Sequence, residues 1–156
     1  MINKKELCGF LVKAKKATYA AGDTAKKIVE ADKSTSLYFE DGGWKYHDNY
    51  FGGEPFGGRE LVLFDSKPVY IMTYYGFVDE AVSDVLPIYG FLQKALSLIP
   101  GDYPFRGPKQ FVENDFEYIN SFEGGIGCFS GEEKILKGGQ VVFKTKYSGG
   151  FVDVRK

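Results

Sequence analysis

The chain has 156 residues, 44% of them hydrophobic, which is enough to build one core, and its 20 basic and 21 acidic residues leave a net charge of -1. That balance gives no global attraction to nucleic acid or acidic lipid, which needs clustered Lys and Arg to release counterions. Cys8 and Cys128 show neither metal-ligand spacing nor a disulfide framework, Met1 is followed by no apolar signal core, and no apolar run approaches the roughly 18 residues that span a membrane, so the expected setting is cytoplasmic.

In chain order, Asn3 predicts the N-cap of a first helix, with Glu6 as its capping-box partner and Leu7, Phe10, Leu11 and Ala14 on one face. The stretch from Thr18 to Ser36 reads as a linker, a mobile lid or a short extra helix over 24–31. Strands follow at 36–40, 44–51, 59–64 and 68–75, with turns at Asp41-Gly42 and Asp65-Ser66. A second helix over 85–99 buries Ile88, Phe91, Leu92, Ala95 and Leu98 and ends at Pro100-Gly101. Four more strands are expected at 109–113, 116–122, 132–137 and 140–147, the last two joined by Gly138-Gly139.

The second series repeats the first. Phe56 to Leu63 aligns without a gap on Phe129 to Leu136, Tyr74-Tyr75-Gly76 meets Tyr147-Ser148-Gly149, and Gly9-Phe10-Leu11 recurs as Gly90-Phe91-Leu92. The expected fold is therefore α+β: an antiparallel sheet of about eight strands with two principal helices, duplicated as α-β-β-β-β with pseudo-two-fold symmetry. It forms a single domain over 1–156, with one unit at 3–77 and the other at 85–150.

Strand parity then sorts the side chains. A regular hairpin at Gly138-Gly139 sets Lys134 opposite Phe143 and Glu133 opposite Lys144, leaving Glu133 and Ile135 on a wet face. The same register in the first unit sets Glu60 opposite Ile71 and makes an exposed apolar face of Val62, Phe64, Val69 and Ile71, a candidate dimerisation surface. Trp44, Tyr46, Asp48 and Tyr50 share one parity, and a lone acid in an aromatic row can bind a cation or act as a base. His47 falls on the other parity, toward the surface. Arg106, held between Phe105 and Gly107-Pro108, is aimed with little entropy to lose. The candidate ligand-binding residues are Trp44, Tyr46, Asp48, Tyr50, Glu60 and Arg106, with no catalytic residue, metal ligand or cofactor assigned. G-x-S-x-G, H-E-x-x-H and C-x-x-C are absent, and Gly124-Gly125-Ile126-Gly127 lacks the Lys-Ser/Thr of a phosphate loop.

Four strings carry a resemblance: Phe10-Leu11-Val12-Lys13-Ala14-Lys15-Lys16-Ala17-Thr18-Tyr19-Ala20, Tyr46-His47-Asp48-Asn49-Tyr50-Phe51-Gly52-Gly53, Phe56-x-Gly58-x-Glu60 and Pro104-Phe105-Arg106-Gly107-Pro108. With them the chain resembles an uncharacterised bacterial domain family that occurs alone or behind an XRE-type helix-turn-helix. The resemblance implies an effector-sensing or interaction role. The leading expectation is a cytoplasmic small-molecule-binding module whose aromatic, acid-containing cleft lies between the two repeats. A protein-interaction or homodimerisation domain is the alternative, followed by a small enzyme with a carboxylate base; neither direct nucleic-acid nor membrane binding is expected.

Overall fold

The computed structural model of the chain describes residues 2–155. Helix α1 (Lys4–Ala17) starts where Asn3 Oδ1 accepts from the backbone N–H of Lys5 and Glu6, while the Asn3 side-chain amide donates to Glu6 Oε1 at 2.9 Å. These contacts satisfy two of the donors that a helix start leaves free. Helix α2 (Leu86–Ser97) has Pro87 in its first turn and takes a bond from Leu86 N to Asp84 Oδ1 at 3.2 Å.

The strands are β1 (Ile28–Val29), β2 (Thr35–Asp41), β3 (Trp44–Phe51), β4 (Phe56–Phe64), β5 (Lys67–Val78), β6 (Gln110–Glu113), β7 (Phe116–Gly125), β8 (Cys128–Lys137) and β9 (Gln140–Phe151). They form one antiparallel sheet of nine strands in the order β1-β2-β3-β4-β5-β9-β8-β7-β6. The ninth strand lies in the segment whose role the sequence left open. Instead of a helix over 24–31, a 3-10 turn (Tyr19–Thr24) is followed by the two-residue edge strand β1. Two β-branched residues favour the extended state there, and Asp32 Oδ1 accepting from Ser34 N at 3.0 Å holds the tight return into β2.

Both helices cover one face of the sheet. Phe10 of α1 packs on Trp44 and Phe39 with ring centroids 5.5 and 5.8 Å apart, and Phe91 of α2 packs on Phe116 and Phe111 at 5.1 and 5.3 Å. Leu7, Leu11, Ala14, Leu92 and Ala95 are fully buried between helices and sheet. Among the described residues no helix is long and apolar enough to cross a membrane.

Two β-bulges correct the parity read from the sequence. Leu136 does pair with Val141, but Val142 is an extra residue, so Ile135 meets Phe143, Lys134 meets Lys144 and Glu133 meets Thr145. Val69 is the extra residue of β5, which sets Val62 opposite Tyr70 and Glu60 opposite Met72. One inserted residue flips every side chain beyond it to the other face. Glu133, Ile135, Glu60 and Val62 therefore turn inward beneath the helices and are buried. The expected apolar stripe is broken up as well: Val62 and Val69 are buried, Phe64 packs on Trp44 at 4.5 Å, and only Ile71 stays on the uncovered face. Neither bulge carbonyl is left unpaired, since Val69 O accepts from Val152 N at 3.1 Å and Val142 O from Asp79 N at 2.8 Å.

Candidate functional site

The inward rotation gathers ionisable side chains under the helices. Strand pairing sets Asp48 beside Glu60 and Asn120 beside Glu133, in two rows either side of the directly paired Tyr74 and Tyr147. Tyr74 donates to Asp48 Oδ1 at 2.5 Å, and Tyr147 donates to Asn120 Oδ1 at 2.6 Å. Gly131 makes room for the second reach: a Cβ there would lie 2.3 Å from Tyr147 Cζ.

Each buried glutamate receives a cation from a different element. Lys15, in the last turn of α1, brings Nζ to 2.8 Å from Glu60 Oε2 and donates to Phe105 O at 2.5 Å. Arg106, on the loop after α2, donates from Nε and Nη2 to Glu133 Oε1 at 2.8 and 2.5 Å. Tyr118 donates to Glu133 Oε2 at 2.6 Å and accepts from Gly107 N, while Asn120 Nδ2 donates to Gly107 O. These bonds lock the Gly107 backbone and hence the aim of Arg106. The guanidinium also lies over the Tyr19 and Tyr74 rings, 5.5 and 5.7 Å from their centroids.

Burial sets the electrostatics. It pushes the Asp48 carboxyl up to about 7, and the neighbouring Glu60 charge adds to the rise against the opposing Tyr74 hydrogen bond and the Arg106 and Lys15 charges. Lys15 is lowered by burial, offset in part by Glu60. Burial raises the Tyr19 phenol to about 12. Among the described residues the buried hydroxyls of Tyr46, Tyr70 and Thr145 find no hydrogen-bond partner, an unusual expense for a finished core. The remaining space beside Lys15, Tyr19, Glu60, Phe105 and Arg106 is a cavity of about 10 Å³, room for a single water at most.

Of the six residues singled out from the sequence, Tyr46, Asp48, Glu60 and Arg106 converge on this cluster and are buried, whereas Tyr50 is half-buried at its margin. Trp44 lies apart, half-buried between Phe10 and Phe64. Sequence reasoning missed Lys15, Tyr74 and Tyr118, and it placed Glu133 on the wet face. The first helix's apolar pattern gave no sign that Lys15 turns inward. The gapless alignment of Phe56 to Leu63 on Phe129 to Leu136, which sets Glu60 against Glu133, was the one available hint that both share a fate. His47 is on the outer face, stacked on Tyr38 at 4.3 Å with Nε2 2.9 Å from Ser36 Oγ. Among the described residues no group of three His, Cys, Asp or Glu is placed to hold a metal ion.

Residues 48–152 match the family described as Domain of unknown function (DUF5680). No curated protein and no solved structure matches the chain.

Proposed function

The chain belongs to the DUF5680 family, a domain of unknown function, and we propose that it is a small-molecule-binding module of the effector-sensing type whose ligand enters the buried cluster from the Tyr19 side. One observation carries the reading: Lys15, Asp48, Glu60, Arg106 and Glu133 are all buried together. Replacing a buried ion pair by packed apolar groups is often neutral or stabilising, so a scaffold alone has little use for five such groups. The orphaned hydroxyls of Tyr46, Tyr70 and Thr145 supply further unused polar capacity. With a cavity of only about 10 Å³, binding requires the 3-10 turn carrying Tyr19 to swing away. Asp48, Glu60 and the tyrosine rings suit a planar or cationic guest.

Thermal-shift titration with ethidium and tetraphenylphosphonium tests this. The expected result is a rise in melting temperature that Asp48→Asn diminishes, together with NMR shifts at Tyr74. No stabilisation by either cation, with unmoved resonances at Tyr19 and Tyr74, would overturn it.

A second reading, a small enzyme with Asp48 as general base, is favoured by its raised carboxyl. We infer further that the two halves descend from one duplicated unit. Supporting this, a constant offset relates Glu60 to Glu133, Tyr74 to Tyr147 and Val69 to Val142, and the sheet order runs β2-β3-β4-β5 against β6-β7-β8-β9 about its centre. The cytoplasmic setting, bacterial origin and relationship to XRE-type regulators rest on composition and on the four resembling strings.

A further inference from the structure

The sheet face turned away from the helices bears a second candidate, independent of the buried cluster. Its centre is an open groove of about 820 Å³ bordered by Thr73, Tyr75, Ser130, Glu132, Lys146 and Ser148. Strand register sets Phe51, Gly57, Tyr75 and Lys146 in one row across β3, β4, β5 and β9, and Phe77, Lys144 and Lys134 in the next. In these two rows the aromatic side chains are open to solvent: Phe51 at 50%, Tyr75 at 56% and Phe77 at 43%.

The Tyr75 ring has a defined pose. A Cβ at Gly57 would stand 3.0 Å from Tyr75 Cδ2, so one edge of the ring lies against bare glycine backbone, and the side chain remains 56% exposed. Phe77 follows two residues along the same strand, about 7 Å away. Rings spaced along an extended strand form a stacking platform for unpaired bases.

Charge supplies the complementary half. Lys146 is directly opposite Tyr75, Lys144 is opposite Phe77, Lys134 is opposite Lys144, and Arg59 flanks Thr73. The acids among them are Glu123, Glu132 and, beside Phe77 and Lys144, Asp79; Glu132 is engaged by Lys134 at 3.0 Å. Arg59, Lys134, Lys144 and Lys146 against Glu123, Glu132 and Asp79 leave the surroundings of the rings net positive, on a chain whose total charge is -1. A local positive field over exposed rings fits a polyanion that carries π-faces.

We propose that this open face binds single-stranded nucleic acid, with bases stacking on Tyr75 and Phe77 and phosphates held by Arg59, Lys144 and Lys146. Paired bases inside a duplex could not reach the rings, so duplex of the same sequence binds more weakly.

The test is fluorescence anisotropy with fluorescein-labelled oligodeoxythymidylate and oligouridylate of about ten nucleotides, titrated with the full chain at several salt concentrations. Saturable binding is expected, weakened about tenfold by Tyr75→Ala, since one base stack contributes about that much. Lys144→Gln with Lys146→Gln should also flatten the salt dependence by roughly 0.7 in slope for each phosphate no longer neutralised. Lys16→Gln, on the helix side, should change neither quantity. All these positions are exposed or half-exposed, and circular dichroism melting checks that each variant is folded. Absence of binding at low salt overturns the proposal, as does binding indifferent to Tyr75→Ala and the double lysine substitution. So does sedimentation in which the chain alone forms a dimer that those substitutions dissociate, because the face would then be a self-interface. Any of these results leaves the buried-site reading unaffected.

Discussion

Asp48 and Asn120 each accept a hydrogen bond from a tyrosine of the central strand pair, yet only Asp48 can titrate. Its carboxyl, raised to about 7, is faced by Glu60 from β4, Tyr74 from β5, Lys15 from α1 and Arg106 from the loop after α2. An unfolded Asp titrates near 3.9. Between those values the folded chain keeps a proton that the unfolded chain has released, so this group's contribution to stability is complete below about pH 4 and is lost as pH rises through about 7. Asp48→Asn should therefore remove a downward slope of stability between about pH 4 and 7 and stabilise the protein above it. Urea unfolding midpoints across that range check the prediction; parallel profiles for the two proteins would contradict it. Arg106 and Lys15 act differently. Each neutralises a buried glutamate, and removing either strands a charge, which typically costs about 3–5 kcal/mol.

At the scale of elements, both helices carry a glycine one residue before the phenylalanine that anchors them. Gly9 and Gly90 are exposed, and a Cβ on either meets nothing within 4 Å. Alanine at each position should raise stability by about 0.5–1 kcal/mol, by restricting the unfolded chain and improving helix propensity; chemical denaturation reads the gain. The helices and the eight longer strands were legible in the sequence because apolar period and turn chemistry are local signals. The bulges at Val69 and Val142 were not. Nothing in either residue announces a bulge. What fixes it is the pairing of its carbonyl with Val152 or Asp79, more than sixty residues away. Two single-residue insertions consequently reversed the reading of Glu60, Val62, Glu133 and Ile135, although their strands had been recognised.

For the molecule as a whole, stability should be graded across the sheet. β5 and β9 lie at its centre, and β1 and β6 form its edges. Amide hydrogen exchange is expected to be slowest in β5 and β9 and fastest in β1 and β6, and equal protection at edge and centre would contradict this. The sequence alone determined the α+β class, the chain order of helices and long strands, and the aromatic content. Those follow from residue type and short-range spacing, which act before distant segments meet. Tertiary structure alone decided that Lys15 and Tyr74 complete the cluster and that the lysines gather beside Tyr75 and Phe77. Burial, ion pairing and surface field all depend on which strands become neighbours, and the register that settles this is closed by hydrogen bonds between residues far apart in the chain.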